Sequence, residues 1–466
     1  MKWSNVHGAK DPGYNQSSIG NVMITTDNQI STNTKLRRIA WLSSKDKSKK
    51  FNTLMHLFNE ESLTACYHEL DEKKAIGIDG ISKANYGEKL QKNIQDLVAR
   101  MKRMVYRPGN IKEVKIPKEG CPGKTRTLGI SNFEDKIIQK MMQKILESIY
   151  DPIFLKCSYG FRPGMGCHDA IRGLMKHLYG NEVESVIDID LANFFGSIDR
   201  VIVVEMLQEK IQDKKLLRYI VRMFKAGILS EGELIISENG VTQGSIVSPV
   251  IANIFAHYAL DQWMEEVVKK HCKGRVELFR YCDDGVICCR YKEDAIRIRT
   301  ALTKRLEKYK LKLNEDKTRM VKFSKASAVR GEKQESFDFL GFTIYIGKSQ
   351  KGRIVPKLKS CGKRIRSKLK KVNEWGRYIR NKYKLKVIWE LFCSKLRGHI
   401  QYYGVTYNLQ AVETFVFQAV KIMFKWINRR SQRKSFDWDK FNLFIKQNPL
   451  PKVKVYHSLL VEKEAA

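Results

Sequence analysis

The chain has 466 residues, of which 86 are Lys or Arg and 50 are Asp or Glu, leaving a formal charge of +36. At roughly 150 residues per domain this length predicts two to four packed units, and an excess of one sign repels itself unless a polyanion neutralises it, so nucleic acid is the expected partner. No apolar run reaches the about 18 residues of a membrane-spanning helix, and the polar start Met1-Lys2-Trp3-Ser4 is no secretory signal, so a cytoplasmic protein without a membrane partner is expected.

Residues 1–35, rich in Asn, Ser, Thr and Gly, carry no sustained period and are expected to be flexible or draped over a partner. Basic residues then gather around Ala40-Trp41-Leu42. Leu54, Leu57, Phe58, Leu63, Cys66 and Leu70 recur at helical spacing, and Asp79-Gly80 marks a turn. Residues 90–104 form a predicted amphipathic helix stopped by Arg107-Pro108-Gly109, followed by a short strand at 114–117 and a basic loop. Helical stretches dominate 130–182, broken by the turn Tyr159-Gly160-Phe161-Arg162-Pro163-Gly164. A strand leads to Asp190, helices continue to 224, and Leu234-Ile235-Ile236 is a further strand. A loop at 244–249, a helix at 250–270, a hairpin at 276–289 and a helix at 295–309 complete this part. Such a mixture predicts an α+β layer fold. Between 357 and 397 fifteen Lys or Arg stand against two acids, Glu374 and Glu390, with Leu, Ile and Trp at helical intervals. That imbalance predicts a basic helical domain that binds phosphates, and Trp375, Tyr378, Trp389, Tyr402, Tyr403 and Tyr407 within or after it are core residues or base-stacking platforms. The ten cysteines form no CxxC pair and no zinc-spaced cluster, so reduced structural thiols are expected; Cys288 and Cys289 are strand neighbours that point apart.

One peptide needs a chemical explanation. Arg280-Tyr281-Cys282-Asp283-Asp284-Gly285-Val286 sets two adjacent carboxylates inside an apolar, β-favouring stretch. Strand residues alternate faces, so the pair fits best at a hairpin turn, where both carboxylates reach one exposed edge. Mg²⁺ favours such oxygen ligands and completes its shell with water and substrate phosphates. A two-metal site needs a further acid, which Asp188-Ile189-Asp190 supplies at the end of another predicted strand. Taken alone, the peptide also reads as a plain type I′ turn at Asp284-Gly285.

The order of short motifs resembles that of group II intron reverse transcriptases and maturases over nearly all of residues 50–460. The strings that carry it are Ile76-Gly77-Ile78-Asp79-Gly80, Tyr106-Arg107-Pro108, Ile116-Pro117-Lys118 and Gly123-Lys124-Thr125-Arg126-Thr127-Leu128-Gly129-Ile130. They continue with Ser158-Tyr159-Gly160-Phe161-Arg162-Pro163, Asp190 with Phe194-Phe195, Gln243-Gly244 with Ser248-Pro249, the Tyr281-Cys282-Asp283-Asp284 peptide and Phe339-Leu340-Gly341-Phe342. The resemblance implies a right-hand polymerase: an N-terminal extension and start of the fingers at 36–104, fingers and palm at 105–345, an all-helical thumb or maturase X domain at 346–460, a tail at 461–466 and no HNH endonuclease domain.

It also implies RNA-directed DNA synthesis by two-metal nucleotidyl transfer, with binding of structured intron RNA to assist splicing and retromobility. The expected partners are an RNA template, a DNA primer or target DNA, and dNTPs. Asp190, Asp283 and Asp284 become the catalytic residues and ligands of two Mg²⁺ ions, which Mn²⁺ can replace, with Asp188 a supporting acid. Lys124 and Arg126 would hold the incoming triphosphate, Phe195 would exclude a ribose 2′ hydroxyl, and Gln243 would lie beside the nascent pair. Arg162 is a lesser nucleotide or template contact, and Lys317 is either a general acid or a salt-bridge partner. Phe339, Leu340, Gly341 and Phe342 would grip the primer. Lys363, Arg364, Arg366, Lys368, Lys370, Lys371, Arg377 and Arg380 are the expected RNA contacts. Four positions depart from the family's pattern: Cys282 for alanine, Thr242 and Thr127 for prolines, and Gly196 for aspartate. An RNA chaperone with an idle polymerase site, or a group II-like enzyme serving repair or defence, stays open on this reading.

Overall fold

The computed structural model describes residues 31–117, 123, 125–230, 233–235, 240–241, 243–430 and 436–459. The eleven strands among them run, in chain order, β1 (Ile111–Pro117), β2 (Thr125–Ile130), β3 (Ser185–Asp190), β4 (Ile228–Ser230), β5 (Glu233–Ile235), β6 (Val276–Tyr281), β7 (Asp284–Cys289), β8 (Arg319–Lys322), β9 (Phe337–Phe339), β10 (Phe342–Lys348) and β11 (Ile354–Ser360). They build three sheets of order β2-β1-β4-β5, β6-β7-β3-β8 and β11-β10-β9. Helices pack against the central and third sheets, while β1 and β2 of the first are largely exposed, giving the mixed α and β architecture that the patterning predicts.

The central sheet, β6-β7-β3-β8, is antiparallel throughout, and its two faces feed different cores. Ile187, Ile189, Ile287 and Cys289 pack into a core shared with the N-terminal helices and the helix Phe133–Tyr150. Val186, Val286, Cys288 and Phe279 face the other way, into a core shared with the helix Cys167–Gly180, the third sheet and the C-terminal helices. The two-residue period thus sends Cys288 and Cys289 to opposite sides, as expected of strand neighbours. It also puts Asp188, Asp190 and Asp284 in step with Val186 and Val286, on the face toward the third sheet.

Arg280, fully buried near the end of β6, locks this sheet to its surroundings. All five guanidinium N–H groups are donated: Nε and Nη2 to the two oxygens of Asp261 at 2.7 and 2.6 Å, Nη1 to Asn253 Oδ1 and the Cys282 carbonyl at 3.0 Å each, and Nη2 to Ser158 Oγ at 2.7 Å. Asp261 is itself fully buried, on a wide π turn (His257–Asp261) that continues the helix Ser248–Ala256. Asn253, from the same helix, also donates to the Gly160 carbonyl at 2.6 Å.

Two boundaries differ from the sequence reading. A helix begins at Thr32, capped by Ser31, so the end of the segment expected to be flexible is helical; residues 1–30 lie outside the described residues. The expected all-helical unit does not start at 346, because β10 and β11 pair in register from Phe342↔Ser360 to Lys348↔Ile354. Alternating burial of Phe342, Ile344, Pro356, Leu358 and Ser360 explains it: the charge imbalance dominates the composition there, while the period is two. The helices Gly362–Ile379, Leu385–Tyr403, Leu409–Ile427 and Trp438–Gln447 follow. Asn408 ties them to the third sheet, accepting from Ser360 N at 2.7 Å and donating to Ser360 Oγ and the Tyr403 carbonyl at 2.8 Å each. No helix among the described residues is long and apolar enough to cross a membrane.

Removing Arg280 strands the Asp261 carboxylate inside the core. Arg280→Ala is therefore expected to lower unfolding free energy by about 3–5 kcal/mol, measured by urea denaturation; a loss below about 1 kcal/mol would show that the network holds nothing together.

Candidate active site

The carboxylates converge through strand register. Asp190, the last residue of β3, stands directly opposite Asp284, the first residue of β7, and Tyr281 pairs with Asp284 across the hairpin. The turn is therefore Cys282-Asp283, two residues earlier than the type I′ turn at Asp284-Gly285 considered from sequence. Cys282 has φ of 60° while Asp283 is not in the positive region, the pattern of a type II′ rather than a type I′ turn. Gly285 lies in the strand opposite Ile189. The Cys282 side chain is buried, and Asp283 projects from the turn beside Asp284.

Each acid of β3 has a cation across the sheet edge. Lys317 Nζ lies 2.7 Å from Asp190 Oδ2, and Arg319 Nε lies 3.5 Å from Asp188 Oδ2. Asn314 donates to Asp190 Oδ1 at 3.2 Å, and its backbone N–H to the Asp190 carbonyl at 2.8 Å. Of the two roles expected for Lys317, the salt bridge is the one seen. Burial pushes the Asp188 carboxyl up to about 6, opposed by Arg319 and reinforced by Asp338 and Asp190. Asp284 is open to solvent on one side, yet the protein massed around its carboxyl, together with Asp283, pushes it up to about 6, while Arg364 pulls it down. A crowd of hard oxygen donors that repel one another fits divalent cations. No group of three or more His, Cys, Asp or Glu side chains among the described residues is arranged to hold a metal ion. The edge is open, as suits an ion that takes its remaining ligands from phosphates and water.

Backbone hydrogen bonds bring three more expected residues alongside. Gly129 N, on the strand that carries Arg126, donates to the Gln243 carbonyl at 2.7 Å, and Val241 N donates to the Phe195 carbonyl at 2.9 Å. Phe195 is half-buried, its ring edge-on to Phe194 at 5.8 Å, in the short helix Phe194–Ser197 that follows Asp190. A Cβ on Gly196 would stand 2.4 Å from Asn193 Nδ2, the end of an exposed side chain that has room to swing aside, so nothing in the structure explains the departure from aspartate there. Arg126 is exposed; Lys124 and Thr242 lie outside the described residues.

Other expected contacts are placed differently. The Arg162 guanidinium is turned inward, to Asp151 Oδ1 at 2.6 Å and to the Asp151, Leu155 and Ser158 carbonyls, so it braces the loop before the hairpin rather than facing a nucleotide. Phe339, Leu340 and Phe342 are buried side chains of the second core. Gly341 is buried as well, and the turn between the two strands places Leu340 at φ 48° and Gly341 at 87°. Tyr402 donates its hydroxyl to the Leu340 carbonyl at 2.7 Å, and Cys361 N donates to that of Gly341 at 2.9 Å. Along the helix Gly362–Ile379, Lys363, Arg364, Arg366, Lys370 and Arg377 are exposed, and Lys368 and Lys371 are half-buried, as is Arg380 at its C-terminal cap. Trp389 and Tyr403 are core, whereas Tyr378 is exposed under Lys382 at 3.6 Å.

Sequence reasoning missed the residues that hold the hairpin: Asn253, Asp261, Ser158 and Gly160. A Cβ on Gly160 would stand 2.5 Å from Cys282 N, so only glycine lets this loop lie against the turn. The one signal was Arg280 itself, a charge within an apolar strand.

Comparison with known proteins agrees with this geometry. Residues 116–344 match the family described as reverse transcriptase (RNA-dependent DNA polymerase). The group II intron-encoded protein LtrA of Lactococcus lactis subsp. cremoris is 30% identical over 236 residues, 50% of this chain and 39% of its own length. Protein YkfC of Escherichia coli K12 is 26% identical over 352 residues, 68% of this chain and 89% of its own length. A 91 kDa protein in the cob intron of Schizosaccharomyces pombe is 31% identical over 215 residues, 45% of this chain and 26% of its own length. The match to the two intron-encoded relatives thus takes in well under half of their length.

Because the Asp284 carboxyl is pushed up to about 6 from an ordinary 3.8, its ionised form opposes folding above pH 6, and this opposition fades as pH falls toward 4, where folded and unfolded chains both hold the proton. Asp284→Asn is therefore expected to melt higher than wild type at pH 8 without divalent cations, with the gap closing between pH 6 and 4. A gap independent of pH, or a less stable variant at pH 8, would contradict the electrostatic description.

Proposed function

Through residues 116–344 the chain belongs to the reverse transcriptases of the group II intron-encoded kind, and on that premise we propose that it is an RNA-directed DNA polymerase that also binds structured intron RNA to assist splicing. The observation that carries this reading is Asp190 opposite Asp284 with Asp283 on the adjoining turn. We assign the first sheet to the fingers, the central sheet to the palm, and the helices after Gly362 to a thumb.

In the reaction a primer 3′ hydroxyl attacks the α-phosphate of a dNTP in line, and pyrophosphate leaves. Asp190, Asp283 and Asp284 would hold two divalent cations, Mg²⁺ or in its place Mn²⁺, whose chemistry when bound is to activate the attacking oxygen and neutralise the triphosphate. Asp188, paired with Arg319, supports the edge of the sheet. Lys124 and Arg126 supply donors to the triphosphate from the fingers. The half-buried ring of Phe195 limits space at the sugar, and Gln243, joined through its carbonyl to the Arg126 strand, flanks the nascent pair. Lys317, held against Asp190, is a charge that incoming phosphate would compete for. The exposed cations of the helix Gly362–Ile379 offer RNA a phosphate-binding surface, suited to reading shape more than sequence.

Primer extension on an RNA template tests the assignment. Wild type is expected to extend with dNTPs and Mg²⁺, and Asp283→Asn to lose on the order of 10³-fold in rate, the equivalent of several kcal/mol, while RNA binding stays within about twofold. Equal loss of both activities in a folded variant would remove Asp283 from the metal site. Phe195→Ala is expected to relax selection of dNTP over rNTP by roughly 10- to 100-fold in competition assays; unchanged selection would retire the gate.

A further inference from the structure

Arg364 stands apart from the other cations of its helix. It lies in the first turn of Gly362–Ile379, exposed, and no ion pair among the described residues engages it. Its guanidinium lies over the β9–β10 turn: a Cβ built on Gly341 would stand 3.2 Å from Arg364 Nη1 and 3.0 Å from the Tyr403 hydroxyl. One helical turn on, Lys368 lies 4.5 Å from the Tyr403 ring centre and 6.0 Å from that of Tyr402, whose hydroxyl holds the Leu340 carbonyl. The helix therefore presents an inner basic edge, Arg364 and Lys368, to the turn, distinct from the outward Lys363, Arg366, Lys370 and Arg377.

The acids stand on the face of the central sheet that packs toward the third sheet, whose β9–β10 turn the guanidinium covers. Lys317 reaches the carboxylate edge from the β8 side, on Asp190. Of these two cations only Lys317 is seated on a carboxylate. A strand ending at the acids beside the Leu340-Gly341 turn would bring its last phosphodiesters to Arg364. An Arg fork is suited to phosphate oxygens, and a surface lysine would not reproduce its geometry.

Resting on the polymerase reading, we propose that Arg364 holds a phosphodiester within the last three linkages of the primer strand, positioning its 3′ hydroxyl, and is not part of the general RNA-binding surface. The side chain acts on the primer backbone and leaves the reacting atoms to the carboxylates.

Phosphate walking tests this with the full chain on an RNA template and a DNA primer, one linkage at a time replaced by an uncharged methylphosphonate. Binding by fluorescence anisotropy and extension are both read. Arg364→Ala is expected to weaken primer–template binding or raise the primer KM about tenfold, the effect of one charge-assisted hydrogen bond. One methylphosphonate within the last three primer linkages should do the same to wild type and add nothing to the variant. Arg377→Ala, on the outer face, should still lose affinity when that linkage is neutralised. Additive losses in Arg364→Ala at every primer linkage, or coupling only to template linkages, would overturn the assignment. A wild-type chain that binds but does not extend would overturn the polymerase reading, while the coupling in binding would still decide the role of Arg364.

Discussion

A charge sealed inside protein has to be answered donor by donor, and the rest of this structure is arranged around Arg280. Its five N–H groups reach Asp261, Asn253, Ser158 and the Cys282 carbonyl, joining the hairpin, the helix after Ser248 and the loop before Arg162 into one unit. An unanswered donor there would carry a desolvation penalty, so each of these segments has little freedom to shift. The Cys282 carbonyl belongs to the turn that carries Asp283. The network thus transmits its rigidity to the acids without touching them.

Rigidity matters because the acids repel. Asp190, Asp283 and Asp284 meet at one edge, and the upward displacement of Asp284 records the strain of ionising there. Lys317 and Arg319 answer the β3 acids, and the charge of Arg364 favours the ionised form of Asp284. A frame of this kind keeps negative charge concentrated at one edge of a chain whose overall charge is +36. The third sheet contributes in a different way. Its buried Phe339 and Phe342 hold the Leu340-Gly341 turn against Tyr402 and Tyr403, so the side chains of the motif expected to grip a primer are spent on packing.

Much of this was legible in the residues. Apolar, β-favouring residues marked β3 and the β6–β7 hairpin, the paired acids marked the edge, and the opposed directions of Cys288 and Cys289 followed from the strand period. What stayed hidden was long-range. Nothing local links Arg280 to Asn253 or Asp261, since a wide π turn on a helix sets their approach. The turn slipped by two residues because an Asp-Gly pair is the stronger short-range signal, whereas pairing of Tyr281 with Asp284 places Cys282 in the left-handed region. Arg162 looked available because an arginine in a Gly/Pro loop is usually exposed, and only the fold supplies the Asp151 carboxylate beside it. The strands at 342–360 were masked by their lysines, which alternate with buried residues and dominate the composition.

The central claim is that Asp190, Asp283 and Asp284 form one cation site completed by nucleic acid and nucleotide. Mn²⁺ binding followed by electron paramagnetic resonance, with a chain-terminated primer on RNA and the next dNTP, addresses it directly. The account predicts tight binding that needs the duplex and dNTP and is lost in Asp190→Asn with Asp284→Asn. Binding of equal strength in that double variant, with its fold intact, would contradict it.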